Sequence, residues 1–271
     1  MRLIEMTRSE AIKAAPESLL IIPLGATEQH GPHLPVGTDT LLVETIAEPA
    51  LLALRDSFPA ELAPTLPVGS SAHHVPFGGT LSLTSPSFYR VLMDIGRSAA
   101  SVGFRRMFYL NGHGGNHELA QVAARDLGLE LPIAVGAGSW WAMAYNALIE
   151  SGSPAIRNIP GHAGGFETAA VMAIAGHLVR EQRPVREGQP AESPPFRSDY
   201  RTEIHDSWQA IDGFTDNPAD ATAELGARFL SVAVAKVAAD LGIFYSKSQA
   251  AISLKRSAGP RPPGRCSGST E

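Results

Sequence analysis

The chain has 271 residues, 44% apolar and 18% charged, with a formal net charge of −5. That composition supports a sizeable globular core and leaves no basic excess to neutralise phosphates, which excludes nucleic acid as the main partner. One cysteine, Cys266, excludes a disulfide framework and a thiolate metal site. No apolar stretch reads as a membrane span and Met1 to Lys13 lacks a signal-peptide pattern, so no membrane partner and a cytoplasmic setting are expected.

In chain order, Ser18 to Leu24 reads as a buried strand, followed by Gly25-Ala26-Thr27-Glu28-Gln29-His30-Gly31-Pro32-His33. Glu28 and His30, two residues apart, share one side of an extended chain. His33 lies past a redirecting proline and is expected near the mouth of any site. Asp39 stands before a helix expected over Thr40 to Arg55. It is either the helix N-cap or a carboxylate bridging two metal ions. Leu62 to Val68 reads as a short strand, and Ser85 to Val102 as a helix capped by Ser85 or Ser87. Arg106 to Leu110 is a strand leading into Asn111-Gly112-His113-Gly114-Gly115-Asn116.

The N–H groups of Gly114, Gly115 and Asn116 open a helix expected over Asn116 to Leu127 and could hold an anion or oxyanion. The rival reading, a phosphate loop, lacks the following Lys-Ser/Thr. His117 and Glu118 read as a solvated pair. Pro132 to Val135 is a short strand. Glu167 falls in the first turn of a nearly all-apolar helix, Phe166 to Leu178, where a buried carboxylate needs a cation, a proton or hydrogen bonds. His162 precedes it through Ala-Gly-Gly. Val179 to Asn217, rich in Pro, Arg, Asp and Ser, reads as a long surface excursion with at most a short strand. Ala219 to Leu241 reads as a long amphipathic helix, and the tail from about Ser246 as disordered. The expected folded domain is therefore 1–245, with 246–271 as tail.

Strands separated by helices imply an α/β fold, a single three-layer α/β/α domain with a mainly parallel sheet. Ligands collect at the carboxyl ends of such strands, which puts Glu28, His30 and His113 on one rim. With Asp39 as the bridge, the ligand set Glu28, His30, Asp39, His113 and Glu167 suits two divalent ions with open positions. Water shared by such ions becomes a nucleophile near neutral pH, so hydrolysis of an amide-type C–N bond is expected, with His162 as proton donor or further ligand. The non-enzymatic alternative is a metal-stabilised binding protein whose ions are fully ligated.

With these residues identified, the chain resembles the creatininase (creatinine amidohydrolase) family. The resemblance rests on Ile22-Pro23-Leu24-Gly25-Ala26-Thr27-Glu28-Gln29-His30-Gly31, the following Asp39, Asn111-Gly112-His113, and His162-Ala163-Gly164-Gly165-Phe166-Glu167-Thr168. It implies a mainly parallel α/β fold, a homo-hexamer and a two-metal site of zinc, with manganese or iron as alternatives. One metal would be held by Glu28, Asp39 and His113, the second by His30, Asp39 and an acid. In creatininase that acid follows the histidine matching His113 by two residues. Here Gly115 stands there, and Glu167 is the expected substitute.

The resemblance makes His162 the proton-transfer residue, beside Glu167 in the catalytic set. Ser71-Ala72-His73-His74-Val75-Pro76-Phe77-Gly78-Gly79-Thr80 resembles the family's substrate-side loop, which makes Ser71 and His74 substrate contacts along with Gly114. Ser139-Trp140-Trp141 resembles the segment carrying an active-site tryptophan, matched by Trp141, with core packing as the other reading for both indoles. The second family tryptophan is replaced by Arg157-Asn158-Ile159-Pro160. The expected substrate is a small cyclic amide or formamide, creatinine itself being disfavoured by these departures. The alternative is a short precursor peptide of the mycofactocin type.

Overall fold

The computed structural model describes residues 1–151, 158–185 and 204–257. In chain order the elements are helix α1 (Arg8–Ala14), strand β1 (Leu19–Leu24), α2 (Thr38–Leu54), β2 (Ala60–Leu62), α3 (Ser85–Val102), β3 (Arg106–Asn111), α4 (His117–Glu130), β4 (Ala134–Ser139), α5 (Trp140–Ser151), α6 (Gly165–Ala175), α7 (Ser207–Ala210) and α8 (Ala223–Ser257). The strands form one parallel sheet in the order β2-β1-β3-β4.

The period-two geometry of a strand explains the three layers. Successive side chains of β1 and β3 point to opposite faces. Leu19, Ile21, Phe108 and Leu110 join the core under α2, α5, α6 and α8. Leu20, Ile22, Leu24, Met107 and Tyr109 join a second core under α3 and α4. Both faces being covered, the two central strands are apolar along their length. The fold is α/β with a parallel sheet, as the alternation of elements implies.

Several boundaries differ from expectation for identifiable reasons. The Leu62 to Val68 segment pairs fully only at Ala60–Leu62, and then touches β1 through a single bridge between Leu24 and Leu66. Pro64 and Pro67 remove ladder donors along it. β4 runs to Ser139 rather than Val135 because Gly136 lies against Phe108, where a Cβ would come within 2.6 Å of the ring. α8 continues past the expected tail boundary near residue 246. Tyr245 stacks on Phe58 at 4.0 Å and donates to the Glu17 carbonyl at 3.1 Å, and Ser248 is buried beyond it.

α8 is also, over Ala223–Ile252, long and apolar enough by length and composition to cross a membrane, contrary to the sequence expectation of no such stretch. Its Phe229, Ala233, Val237 and Leu241 are nevertheless fully buried in the core. The expected excursion Val179 to Asn217 is not all surface, since Phe214, Thr215 and Asp216 are buried. Its residues 186–203, residues 152–157 with Arg157 of the departure, and 258–271 with Cys266 lie outside the described residues.

Phe229 anchors α8 to α6, its ring 4.9 Å from that of Phe166 with no solvent exposure. Phe229→Ala should lower stability by about 3–5 kcal/mol in urea unfolding; a loss under about 1 kcal/mol would show that this contact is not what fixes α8.

Candidate metal centre

The loops at the carboxyl ends of β1 and β3 gather buried carboxylates and imidazoles. Glu28 and His30 follow β1, His113 follows β3, Asp39 lies in the first turn of α2 and Glu167 in the first turn of α6. All five are buried. Asp39 is not an N-cap, since α2 begins two residues earlier than the sequence suggests and Gly37 takes that place.

The atoms fall into two sets that share Asp39. In the first, His113 Nδ1 lies 3.3 Å from Glu28 Oε1 and 3.1 Å from Asp39 Oδ2. In the second, His30 Nε2 lies 3.4 Å from Asp39 Oδ1 and 3.8 Å from Glu167 Oε2. Each trio could hold a metal ion. Ligands bonded at about 2.1 Å around a tetrahedral ion sit about 3.4 Å apart, the same spacing. Both Glu28 oxygens, His30 Nε2 and Asp39 Oδ2 are buried without a hydrogen-bond partner, a costly state that cations relieve. The donor set of carboxylate oxygens and imidazole nitrogens suits zinc, manganese or iron.

The imidazoles are oriented from behind. His30 Nδ1 is 3.1 Å from the Glu28 carbonyl and His113 Nε2 is 3.1 Å from the Ser70 carbonyl. Each therefore gives its outer N–H to main chain and aims its other nitrogen inward, where loss of a proton would leave a lone pair for a metal, the arrangement that fixes metal-binding histidines. Ser71 Oγ also contacts His113 Nε2, at 3.2 Å. Asn116 ties the rim together, accepting from the Ser70 amide and donating to the Gly25 carbonyl. Its own N–H donates to the His113 carbonyl, so of the expected anion cradle this donor is already engaged. Gly114 opens that short turn beside His113.

At Gly115 a Cβ would lie 2.0 Å from the Ser70 carbonyl oxygen and 2.6 Å from His113 Nε2. No side chain fits there, so an acid for the second set has to reach in from another element, and Glu167 does. It is held by the Ala163 amide, which donates to Oε2 at 2.6 Å. The start of α6 is in turn capped by Asp216, which accepts from the Gly165 amide.

Protonation follows from this crowding. Burial alone would depress His30, but Asp39, Glu167 and Glu28 overcome it and push it up to about 10. His113 is raised well above the ordinary value, against burial, by Glu28 and Asp39. Burial would raise Asp39, yet His30 and His113 hold it well below the usual carboxylate range. Glu167 is pushed up to about 8 by burial, with Asp39 adding to it. In the metal-free protein, protons on His30, His113 and Glu167 thus stand in for cations.

His162 and His74 complete the site. Their rings stack at 4.1 Å, and His162 Nδ1 and His74 Nε2 each lie 3.6 Å from Glu28 Oε1. Burial and then His30 lower His162 to about 3; burial and then His162 lower His74. Three expectations need correction. His33 is not at a mouth: it is fully buried, its Nε2 2.8 Å from Thr168 Oγ1 on α6. Trp141 is buried in the core with Trp140, edge-on at 5.6 Å. His117 is not merely solvated, since its Nδ1 lies 2.7 Å from Ser139 Oγ.

The indole at the site is Trp208 of α7, edge-on to His74 at 4.7 Å and to His162 at 5.5 Å. Sequence reasoning missed it, along with Thr215 and Asp216. The one signal was an isolated aromatic in a polar stretch.

A family model described as creatinine amidohydrolase matches residues 4–241. The chain belongs to the creatininase family. A mycofactocin precursor peptide peptidase from Mycobacterium ulcerans (strain Agy99) is 34% identical over 169 residues, 60% of this chain and 61% of that relative. The match to it thus spans under two thirds of its length. A creatinine amidohydrolase from Pseudomonas putida is 30% identical over 205 residues, 69% of this chain and 75% of that protein. A crystal structure of creatinine amidohydrolase superposes with a TM-score of 0.74 at 26% identity, covering 90% of this chain and 97% of that one. Similar creatininase structures are described as a manganese form and as a mutant of zinc–zinc type.

The protonation states give a prediction with a definite sign. His30 is raised above its unfolded value of about 6.5, so its imidazolium stabilises the metal-free fold fully below that pH, and the contribution is lost as pH rises through about 10. Metal must expel these protons. Zinc titrated into metal-free protein near pH 7 should release more than one proton per chain, and affinity should rise with pH. Calorimetry in buffers of different ionisation enthalpy checks this; proton-neutral binding would contradict it.

Proposed function

We propose that this protein is a two-metal hydrolase of an amide-type C–N bond. The observation that carries the proposal is the division of Asp39 between two ligand trios, one oxygen to each. Glu28, Asp39 and His113 would hold one divalent ion, and His30, Asp39 and Glu167 the other, with zinc first and manganese or iron as alternatives. Ions there would supply Lewis acidity toward a carbonyl oxygen and a water acidic enough to attack it near neutral pH.

The chain's own groups supply the rest. His162 is neutral at pH 7, since burial holds it low, and is placed to carry a proton to the departing nitrogen. His74, Ser71 and Gly114 line the approach to that chemistry. Trp208 and Phe77 put apolar rings beside His74, which disfavours bulk water and suits a flat amide or an apolar side chain. A small cyclic amide or formamide is the substrate class we favour. A short peptide is the second reading, favoured by the likeness to the mycofactocin precursor peptide peptidases. Assembly as a homo-hexamer and a cytoplasmic setting belong to the same proposal, on the strength of family membership.

The experiment is metal analysis of purified protein coupled to a hydrolysis screen of cyclic ureas, lactams, formamides and short peptides. Two ions per chain are expected. Asp39→Ala should lose both ions and lower hydrolysis by more than about a hundredfold. Full activity in metal-free protein or in Asp39→Ala would reject the proposal.

A further inference from the structure

Among the imidazoles that face Glu28 or Asp39, His30, His113 and His162 aim at the centre a nitrogen that is bare or becomes so on losing its proton, and His74 cannot. The difference traces to Gln29. Its amide orientation is fixed at both ends: Oε1 accepts from the Gly31 amide at 2.8 Å and Nε2 donates to the Gly213 carbonyl at 2.8 Å. One amide hydrogen remains, with two imidazole nitrogens in reach, His74 Nδ1 at 2.9 Å and His162 Nε2 at 3.0 Å.

His162 Nε2 also lies 2.9 Å from the main-chain carbonyl of Gln29. A carbonyl only accepts, so this nitrogen carries a proton and cannot receive another. The remaining hydrogen therefore goes to His74 Nδ1, which must be bare. Both stacked rings are thus Nε2–H tautomers, but they sit in opposite senses. His162 presents the lone pair of Nδ1 to the centre, and His74 presents the N–H of Nε2. Both atoms face the same carboxylate oxygen, Glu28 Oε1, at 3.6 Å. That is too long for a good hydrogen bond, which leaves the His74 proton free to meet another acceptor.

The geometry points to Gln29 as a positioning residue that makes His74 the hydrogen-bond donor of this site, aimed at the substrate's carbonyl oxygen as negative charge develops on it. Glu28, His73 and His74 lie close enough to suggest a further metal position, but a bare Nδ1 engaged by Gln29 leaves His74 no inward lone pair. The same Gln29 amide holds the Gly213 carbonyl, and so the chain that follows Trp208, against the histidine pair. The use assigned to His74 rests on the amide-hydrolase reading; its tautomer does not.

The test is long-range proton–nitrogen NMR on the full-length, zinc-loaded protein labelled with 15N-histidine, with assignments from His74→Gln and His162→Gln. The expected wild-type spectrum has His74 and His162 both protonated at Nε2 and bare at Nδ1. In Gln29→Glu, where the donor becomes an acceptor, the His74 proton should move to Nδ1 while His162 stays as it was. Gln29→Met, which removes the donor without adding charge, should leave His74 as a mixture of tautomers. A wild-type His74 bearing its proton on Nδ1, a metal-bound His74 Nε2, or variants with wild-type His74 signals would each overturn the proposal. Absence of hydrolysis in the screen alongside the expected spectrum would instead sink the functional reading and leave the tautomer assignment standing.

Discussion

Buried carboxylates that lack partners are the constraint on which this structure turns. Folding brings Glu28, Asp39 and Glu167 out of water within a few ångströms of one another, and such a cluster is untenable unless positive charge is shared among them. His30 and His113 bring that charge as protons in the metal-free protein. Their outer N–H groups, committed to main-chain carbonyls, aim the inner nitrogens at the same space. Divalent ions would satisfy the members of the cluster together, which protons do only in part.

The fold exists to make that convergence rigid. Parallel pairing of β1 with β3 puts their carboxyl ends side by side, from Leu24 against Asn111, and the candidate ligands Glu28, His30 and His113 follow from those ends. Helices α2 and α6 add Asp39 and Glu167 from their first turns, where the helix dipole favours an acid. The two acids lie on different helices that share one core, so their separation is set by apolar packing rather than by loops. The crowding at Gly115 is consistent with the proposed second trio. With no room for a side chain beside His113, the acid comes from α6 instead.

Much of this was legible in the sequence because the signals were local. Glu28 and His30 stood out as a carboxylate and an imidazole just past a buried strand, although both lie beyond the end of β1 at Leu24, and a carboxylate at the head of an apolar helix marked Glu167. α3 was readable from its apolar face over its whole length, Ser85–Val102, but its cap is Thr84, whose hydroxyl accepts from the Ser87 amide, and neither Ser85 nor Ser87. α1 carries a capping box, Thr7 with Glu10, that the reading passed over. β4 was cut short because glycine and alanine are weak strand signals. Trp208, Thr215 and Asp216 were illegible for a different reason. Their roles exist only through contacts with His74, His162 and α6, residues 40 or more positions away, and no local pattern announces such contacts. At Trp141 the burial favours core packing, one of the two readings the sequence left open.

The central claim is that Asp39 stands between two ions. Anomalous diffraction from crystals of the zinc-loaded protein, collected on both sides of the zinc edge, addresses it most directly. Two peaks are expected, one in contact with Glu28, Asp39 and His113, the other with His30, Asp39 and Glu167. A single peak, or a second one that Glu167 does not reach, would contradict the account.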